Sequence, residues 1–240
     1  MKAYIEKQNF FPGFLAIFIN PFYFARKGLY EGIRKFEHYI SGKTLDVGCG
    51  KKPYQSLFKN VTQYIGMDIE ESGHDHKNED IDVFYDGHTF PFEDNSFDSM
   101  ICNQVLEHVF NPTEFLSEMH RVLKQDGKVL LTVPFVWDEH EQPYDYARYS
   151  SFGLKHLVET AGFEVIEQQK TVQSIKVVFQ LFNLYLYKKL IRQKNAIIRP
   201  IIKALIATPN NLFGLFWGFL LPKNEELYLD NIIVLKKIND

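Results

Sequence analysis

Thr44-Leu45-Asp46-Val47-Gly48-Cys49-Gly50 is a short apolar strand running into a turn that holds two glycines. Downstream, Gln63-Tyr64-Ile65-Gly66-Met67-Asp68 is a second strand that ends on an acid. A glycine turn after a first strand lets the backbone approach a ligand closely. An acid at the tip of the second strand can accept both hydroxyl protons of a ribose. From Asp46 to Asp68 the chain covers about the 20 residues expected of that arrangement.

Working outward, strands and helices alternate. Residues 22 to 41 read as a helix, with Tyr23, Leu29, Ile33, Phe36 and Ile40 near helical spacing. Tyr54 to Phe58 is helix-like, and Ile81 to Tyr85 is a brief third strand closed by Asp86-Gly87. Phe97 to Cys102 reads as a fourth strand buried on both faces. Asn111 and Pro112 open the next helix, and Gly127 is expected to end it in a left-handed cap. Lys128 to Val133 is the fifth strand, Ser151 caps a helix that stops at Gly162, and Phe163 to Ile166 is the sixth strand. Between Thr171 and Pro222 the rhythm stops and the chain turns apolar and helical, before a seventh strand from Tyr228 to Leu235. The order predicts an α/β fold: a Rossmann-like, doubly wound, seven-stranded, mostly parallel sheet with a helical insertion before its last strand. Residues 1–240 are expected to form a single domain, with an N-terminal helical cap over 1–41 and an apolar insertion over 172–222.

Composition narrows the function classes. A formal net charge of −3 provides no global field for nucleic acid. The two cysteines, Cys49 and Cys102, lie in apolar segments, which suits reduced thiols and a cytosolic setting. Lys2 and Lys7 precede an apolar stretch, but Pro12, Gly13 and Asn20-Pro21 break it and no cleavage-type site follows, so a cleaved leader is not expected. The 22 Phe and 13 Tyr crowd into Phe10 to Tyr30 and Phe179 to Trp217, the pattern of sticky surfaces outside a regular core.

Asp46-Val47-Gly48-Cys49-Gly50 resembles motif I of the class I S-adenosylmethionine (SAM)-dependent methyltransferases. The resemblance continues through Gly66-Met67-Asp68, Asp86-Gly87, Pro91 to Asp98, Gln104-Val105-Leu106-Glu107-His108-Val109 and Leu123 to Lys128. It is closest to the type 11 methyltransferase family and covers roughly residues 40 to 170. One position departs: Lys52 stands where the family often has a third glycine, and Pro53 follows. The resemblance implies SAM as cofactor and a role for each position. Asp46, with the backbone of Gly48 and Gly50, would hold the methionine part, and Asp68 the ribose. Asp86 would accept from the adenine amino group, with Gly87 donating from its backbone. Asn103 and Gln104 would line the methionine end. A different class, a nicotinamide-dependent oxidoreductase, shares the glycine turn and the acid, but its fingerprint wants a third glycine where Pro53 stands. A third possibility is a non-catalytic nucleotide-binding module at a membrane.

For the acceptor, the loop Pro134 to Tyr149 follows the fifth strand, where ligands of such sheets bind. His140 is its best general base, with an ordinary pKa near 7, and Asp145 and Arg148 can orient it or bind a polar substrate. His108 lies near the same face. An Asp145–Arg148 pair that only fixes the loop's shape is the competing reading. His74 and His76 have H-x-H spacing, but their segment reads as a solvated loop and no metal is expected. Residues 175 to 221 mix apolar residues with Lys188, Lys189, Arg192, Lys194, Arg199 and Lys203. That mixture suits a peripheral helix on the inner face of a membrane, and equally a helical lid or homodimer interface. The expected acceptor is a small molecule or a glycan-like or glycolipid one, since the family resemblance extends to enzymes of surface-glycan assembly.

Overall fold

A computed structural model describes residues 7–70, 80–190 and 198–238. Seven strands form one sheet: β1 (Ser41–Val47), β2 (Asn60–Ile69), β3 (Val83–Tyr85), β4 (Phe97–Asn103), β5 (Leu123–Pro134), β6 (Phe163–Lys170) and β7 (Asp230–Lys237). Their spatial order is β3-β2-β1-β4-β5-β7-β6. β1 pairs in parallel with β2 on one side and β4 on the other, so chain order reverses between β1 and β4. Ligands of open α/β sheets bind outside the strand ends at such a switch point. At the far edge, Ile238 N–H donates to Gly162 O at 3.3 Å and Thr171 N–H to Asp230 O at 2.9 Å. The end of β6 therefore meets the start of β7, so this pair is antiparallel, whereas β2–β3, β1–β2, β1–β4 and β4–β5 are parallel.

The helices are α1 (Tyr23–Phe36), α2 (Pro112–Val122), α3 (Ser151–Thr160), α4 (Ile175–Leu190) and α5 (Ile198–Leu220). Helix α2 buries Phe115, Leu116, Met119 and Val122 at four of its eleven positions, spaced as one stripe. They join Leu45, Val47, Met67, Met100, Leu131 and Ile233 from the sheet in one core. Three expectations are corrected. Tyr54 to Phe58 holds only the 3-10 turn Gln55–Leu57, because β2 already starts at Asn60 and leaves no room for a packed helix. Helix α2 stops at Val122, since Leu123 is drawn into the sheet opposite Phe97; the left-handed residue is Asp126, not Gly127. Gly127 is needed for another reason: a Cβ there would lie 2.7 Å from the Lys124 carbonyl. The cap of α3 is Ser150, whose Oγ accepts from Gly153 N–H at 3.2 Å, one residue earlier than expected.

The chain forms two compact units, Gly32–Gln169 with Asn231–Asp240, and Met1–Glu31 with Lys170–Asp230. The first contains the sheet. In the second, the N-terminal segment and the insertion complete each other through buried amides. Gln180 accepts from Ala25 N–H at 3.2 Å and donates to Pro21 O at 2.9 Å. Asn211 donates to the carbonyls of Ile17 and Asn20, and its own carbonyl accepts from Asn183 at 2.9 Å. These bonds satisfy backbone carbonyls around the turn at Ala16–Ile19 that short helices leave open.

Helix α5 is amphipathic in the inverted sense. Its buried side includes Asn210 and Asn211 beside Ile206 and Ala207. Its exposed side carries Ile198, Ile201, Leu205, Leu212, Phe216 and Phe219, spaced by three, four or seven, with Leu205 71% and Phe219 91% exposed. No helix among the described residues is long and apolar enough to cross a membrane.

Candidate active site

A cleft of about 780 Å³ opens at the switch point. One end is lined by Gly48, Gly50, Asp68, Asp86 and Gly87, the other by Gln104, His108, Glu141, Tyr144 and Tyr146. Its size suits a nucleoside-sized ligand together with an acceptor.

At the first end, Gly48 (φ +67°) and Gly50 (φ +47°) are left-handed, and a Cβ on Gly48 would lie 2.3 Å from the Val105 side chain. Asp68 Oδ2 accepts from Gly50 N–H at 2.9 Å, and its Oδ1 from Ile69 N–H at 2.9 Å. The acid on β2 thus braces the glycine turn of β1 while its carboxylate stands on the cleft wall. Asp86 caps its own turn, Oδ1 accepting from His88 N–H at 2.9 Å and Thr89 N–H at 3.3 Å. Those bonds hold its carboxyl below the ordinary range.

Two further residues turn to neighbouring side chains. Asp46 is buried and accepts from Tyr64 OH at 2.6 Å. Burial pushes its carboxyl up to about 7; the Tyr64 bond works against that shift and the Asp68 charge with it. Asn103 Oδ1 accepts from Thr132 OH at 2.6 Å, and Thr132 Oγ1 accepts from Gln104 Nε2 at 3.2 Å. Gln104 itself has φ +58° and lines the cleft.

Lys52, at the departing position, also takes a left-handed φ of +47°, which explains why glycine suits this place. Its ammonium, nearly buried, meets Asp82 at 2.7 Å and Asp80 at 3.6 Å. Asp82 Oδ2 also accepts from Gly66 N–H at 2.7 Å. A Cβ at Gly66 would lie 2.3 Å from Lys52 Cε, so the glycine on β2 makes way for the lysine. This lock between strands was not legible in sequence, because its partners are 14 and 30 positions from Lys52.

At the other end, β4 and β5 are neighbours, which brings the 3-10 turn Leu106–His108 against the loop after β5. The rings of His108 and His140 meet edge to face at 4.8 Å between centroids. His140 Nδ1 lies 3.2 Å from Asp145 Oδ2, and His140 N–H donates to the same oxygen at 2.9 Å. Arg148 clamps Asp145 through both Nη atoms and donates to the Asp138 carbonyl at 2.9 Å. Burial lowers the His140 pKa and the nearby His108 adds to this, while Asp145 opposes both. Burial alone would raise the Asp145 carboxyl, but the Arg148 bonds and the His140 N–H outweigh it and hold it at about 2. The expected trio of His140, Asp145 and Arg148 is therefore one bonded group. Glu107, with no side-chain exposure, and Glu141 complete the surroundings of His108. Their part is hidden in sequence because it depends on a short turn and a loop folding onto each other. His74 and His76 lie outside the described residues.

Residues 45–131 match the family model of the type 11 methyltransferase domain. A probable S-adenosylmethionine-dependent methyltransferase of Mycolicibacterium smegmatis is 29% identical over 144 residues, covering 55% of this chain and 56% of that protein. The chain spans about half the length of the first curated relatives it matches, 55% and 56%. Among solved structures, the [4+2]-cyclase SpnF has a TM-score of 0.58 at 18% identity, covering 90% of this chain and 83% of that one. Phosphoethanolamine N-methyltransferase 2 of Haemonchus contortus, in complex with S-adenosyl-L-methionine, has a TM-score of 0.53 at 17% identity, covering 94% and 56%. The sheet order and the cleft at its switch point define a Rossmann-like domain of the methyltransferase type. Residues 45–131, less than half of the chain, are thus similar to the type 11 family of class I SAM-dependent methyltransferases.

Proposed function

We propose that the protein binds SAM in the cleft and transfers its methyl group to a small-molecule or glycolipid-type acceptor. The observation that carries this is one continuous cleft with the Asp68–Gly50 brace at one end and the His108, Glu141 and Tyr144 wall at the other. The residues present fit the cofactor. Left-handed glycines bring bare backbone to the cleft, and the Asp68 carboxylate offers two acceptor oxygens to a vicinal diol. Asp86, Gly87 and Gln104 also line the cleft; Asp86 and Gly87 would read the adenine edge, and Gln104 would line the methionine end. Asp46 supports the turn from behind through Tyr64, and Asn103 holds Thr132 and so Gln104.

When bound, SAM supplies an electrophilic methyl on a sulfonium, open to in-line attack. The chain's residues need mainly to position the acceptor and exclude water, which carries much of such a rate. Tyr144 and Tyr146 are flat faces for that purpose. For a hydroxyl acceptor, His140 is the proton acceptor: Asp145 orients its Nδ1 side, leaving Nε2 with the lone pair. SpnF, a [4+2]-cyclase on the same fold, is a reminder that fold alone does not set the reaction.

The acceptor is reached at an anionic membrane surface. From 171 to 223 the chain has eight Lys or Arg and no Asp or Glu. In the same stretch α5 turns its apolar stripe outward, the arrangement of an interfacial helix. A lipid-linked acceptor fits a chain that carries such a helix. Incubating the protein with SAM labelled in its methyl group and a panel of polar small molecules and lipid-linked glycans tests the proposal. Label in the lipid-linked fraction is expected. No label in any acceptor, with SAM bound, would turn the assignment toward a non-transferring activity.

A further inference from the structure

We infer that Glu107, His108 and His140 form a binding site for a divalent first-row transition ion, with Glu141 beside it, at the acceptor end of the cleft. One ligand atom from each of the three residues lies within 4.8 Å of the others. Tetrahedral ligands at 2.0–2.1 Å from zinc are about 3.3 Å apart, so a modest inward rotation of the side chains closes the set.

The tautomers favour it. His108 Nδ1 is 2.8 Å from the Tyr144 carbonyl, which can only accept, so in the neutral ring Nε2 is the nitrogen open to a metal. That Nε2 faces two carboxylates, Glu107 at 3.9 Å and Glu141 at 3.5 Å, and takes no hydrogen bond. Two carboxylates around Nε2 favour positive charge at that point, which a metal ion can supply as a proton can. Both separations are long for a hydrogen bond and close to those between ligands of one ion. His140 Nδ1 is likewise occupied, with Asp145 at 3.2 Å, the Asp138 carbonyl at 3.3 Å and Arg148 Nη2 at 3.5 Å, so Nε2 is the nitrogen open to a metal. Oxygen partners on the distal ring nitrogen are the usual support of a metal-bound histidine. Arg148 acts on Glu107 through its charge, while its Nη atoms contact Asp145, the carbonyls of Asp138 and Ala147 and, at 3.5 Å, His140 Nδ1. Two imidazoles with a carboxylate select zinc and its neighbours over magnesium or calcium. The expectation of no metal, drawn from sequence, could not see a set assembled from residues 107, 108 and 140.

His108 and Glu141 line the cleft, so the ion's open position faces the acceptor. Its class of ligand is an oxygen donor: a hydroxyl, carboxylate or phosphate. Only this consequence rests on the methyl-transfer proposal. An ion held there would make a coordinated hydroxyl easier to deprotonate, and His140 would then serve as its ligand; the base role given to His140 above is that of the metal-free chain.

The test is titration of the chelator-stripped full chain with Co²⁺, read by visible absorption, and with Zn²⁺, read by calorimetry. One saturable equivalent with the bands of a tetrahedral cobalt site is expected. Glu107→Gln and His108→Ala should each weaken binding at least tenfold, while circular dichroism and SAM affinity stay near wild type. Should Glu107→Gln fail to fold, Glu141→Gln on the exposed loop should still alter the cobalt spectrum. Absence of a saturable equivalent, or affinity unchanged in both variants, as when His74 and His76 hold the ion, would overturn the inference. Ion binding without SAM binding would leave this site standing and remove the methyl-transfer reading.

Discussion

At the scale of single residues, the Lys52 lock makes a sharp prediction. Lys52→Ala removes the buried pair with Asp82 yet keeps a side chain at φ +47°, whereas Lys52→Gly removes the pair and relieves the backbone. Both should destabilise, with Gly the milder by about 1 kcal/mol in urea unfolding; equal losses would contradict the role given to φ. Asp145 predicts an acid window. Its carboxyl is held at about 2, below its unfolded value of about 3.9, so its contribution is complete above that value and is lost as pH falls through 2. About 2–3 kcal/mol should disappear over that range, and Asp145→Asn should flatten this part of the stability profile. His140→Ala should lower turnover on a hydroxyl acceptor by about 10²–10⁴-fold while SAM still binds; near-normal turnover would make His140 structural. Gly48, Gly50 and Asp68 were legible in sequence because a turn and a strand-end acid are local features. Asp46 was less so: its carboxylate turns to Tyr64, a partner supplied by the adjacent strand.

At the scale of elements, the sequence pattern revealed the strands but blurred their edges. Ser41, Asn60 and Leu123 begin strands three to five residues before the expected starts at Thr44, Gln63 and Lys128, because backbone pairing with a neighbour extends a strand through polar positions such as Lys124 and Asp126. Apolar content announced the insertion as helical. The inversion of α5 was out of reach, because which face is buried depends on the N-terminal segment that supplies carbonyls to Asn211. That inversion predicts that Leu205→Ser and Phe219→Ser together will reduce flotation with anionic vesicles at least about tenfold, since a buried apolar side chain contributes about 1.5–3 kcal/mol. Because both residues are exposed, thermal stability should change little. Unchanged flotation in the double variant would assign the stripe to another contact.

At the scale of the whole molecule, charge is divided between the two units. Met1–Glu31 with Lys170–Asp230 holds thirteen Lys and Arg against five Asp and Glu, and the sheet-bearing unit fourteen against twenty-five. A net charge of −3 hides this division. It predicts that vesicle binding falls with salt and rises with the anionic lipid fraction, which follows from screening and from attraction of basic residues to the head groups. The central claim, that the cleft is a SAM site anchored by Asp68, is tested most directly by calorimetry with SAM and S-adenosylhomocysteine on wild type and Asp68→Ala, with NAD as comparison. The account predicts saturable micromolar binding of both, none of NAD, and a loss of about 1.5–3 kcal/mol in the variant, as for a hydrogen bond to a charged acceptor. Binding of NAD in place of SAM, or SAM affinity unchanged by Asp68→Ala, would contradict it.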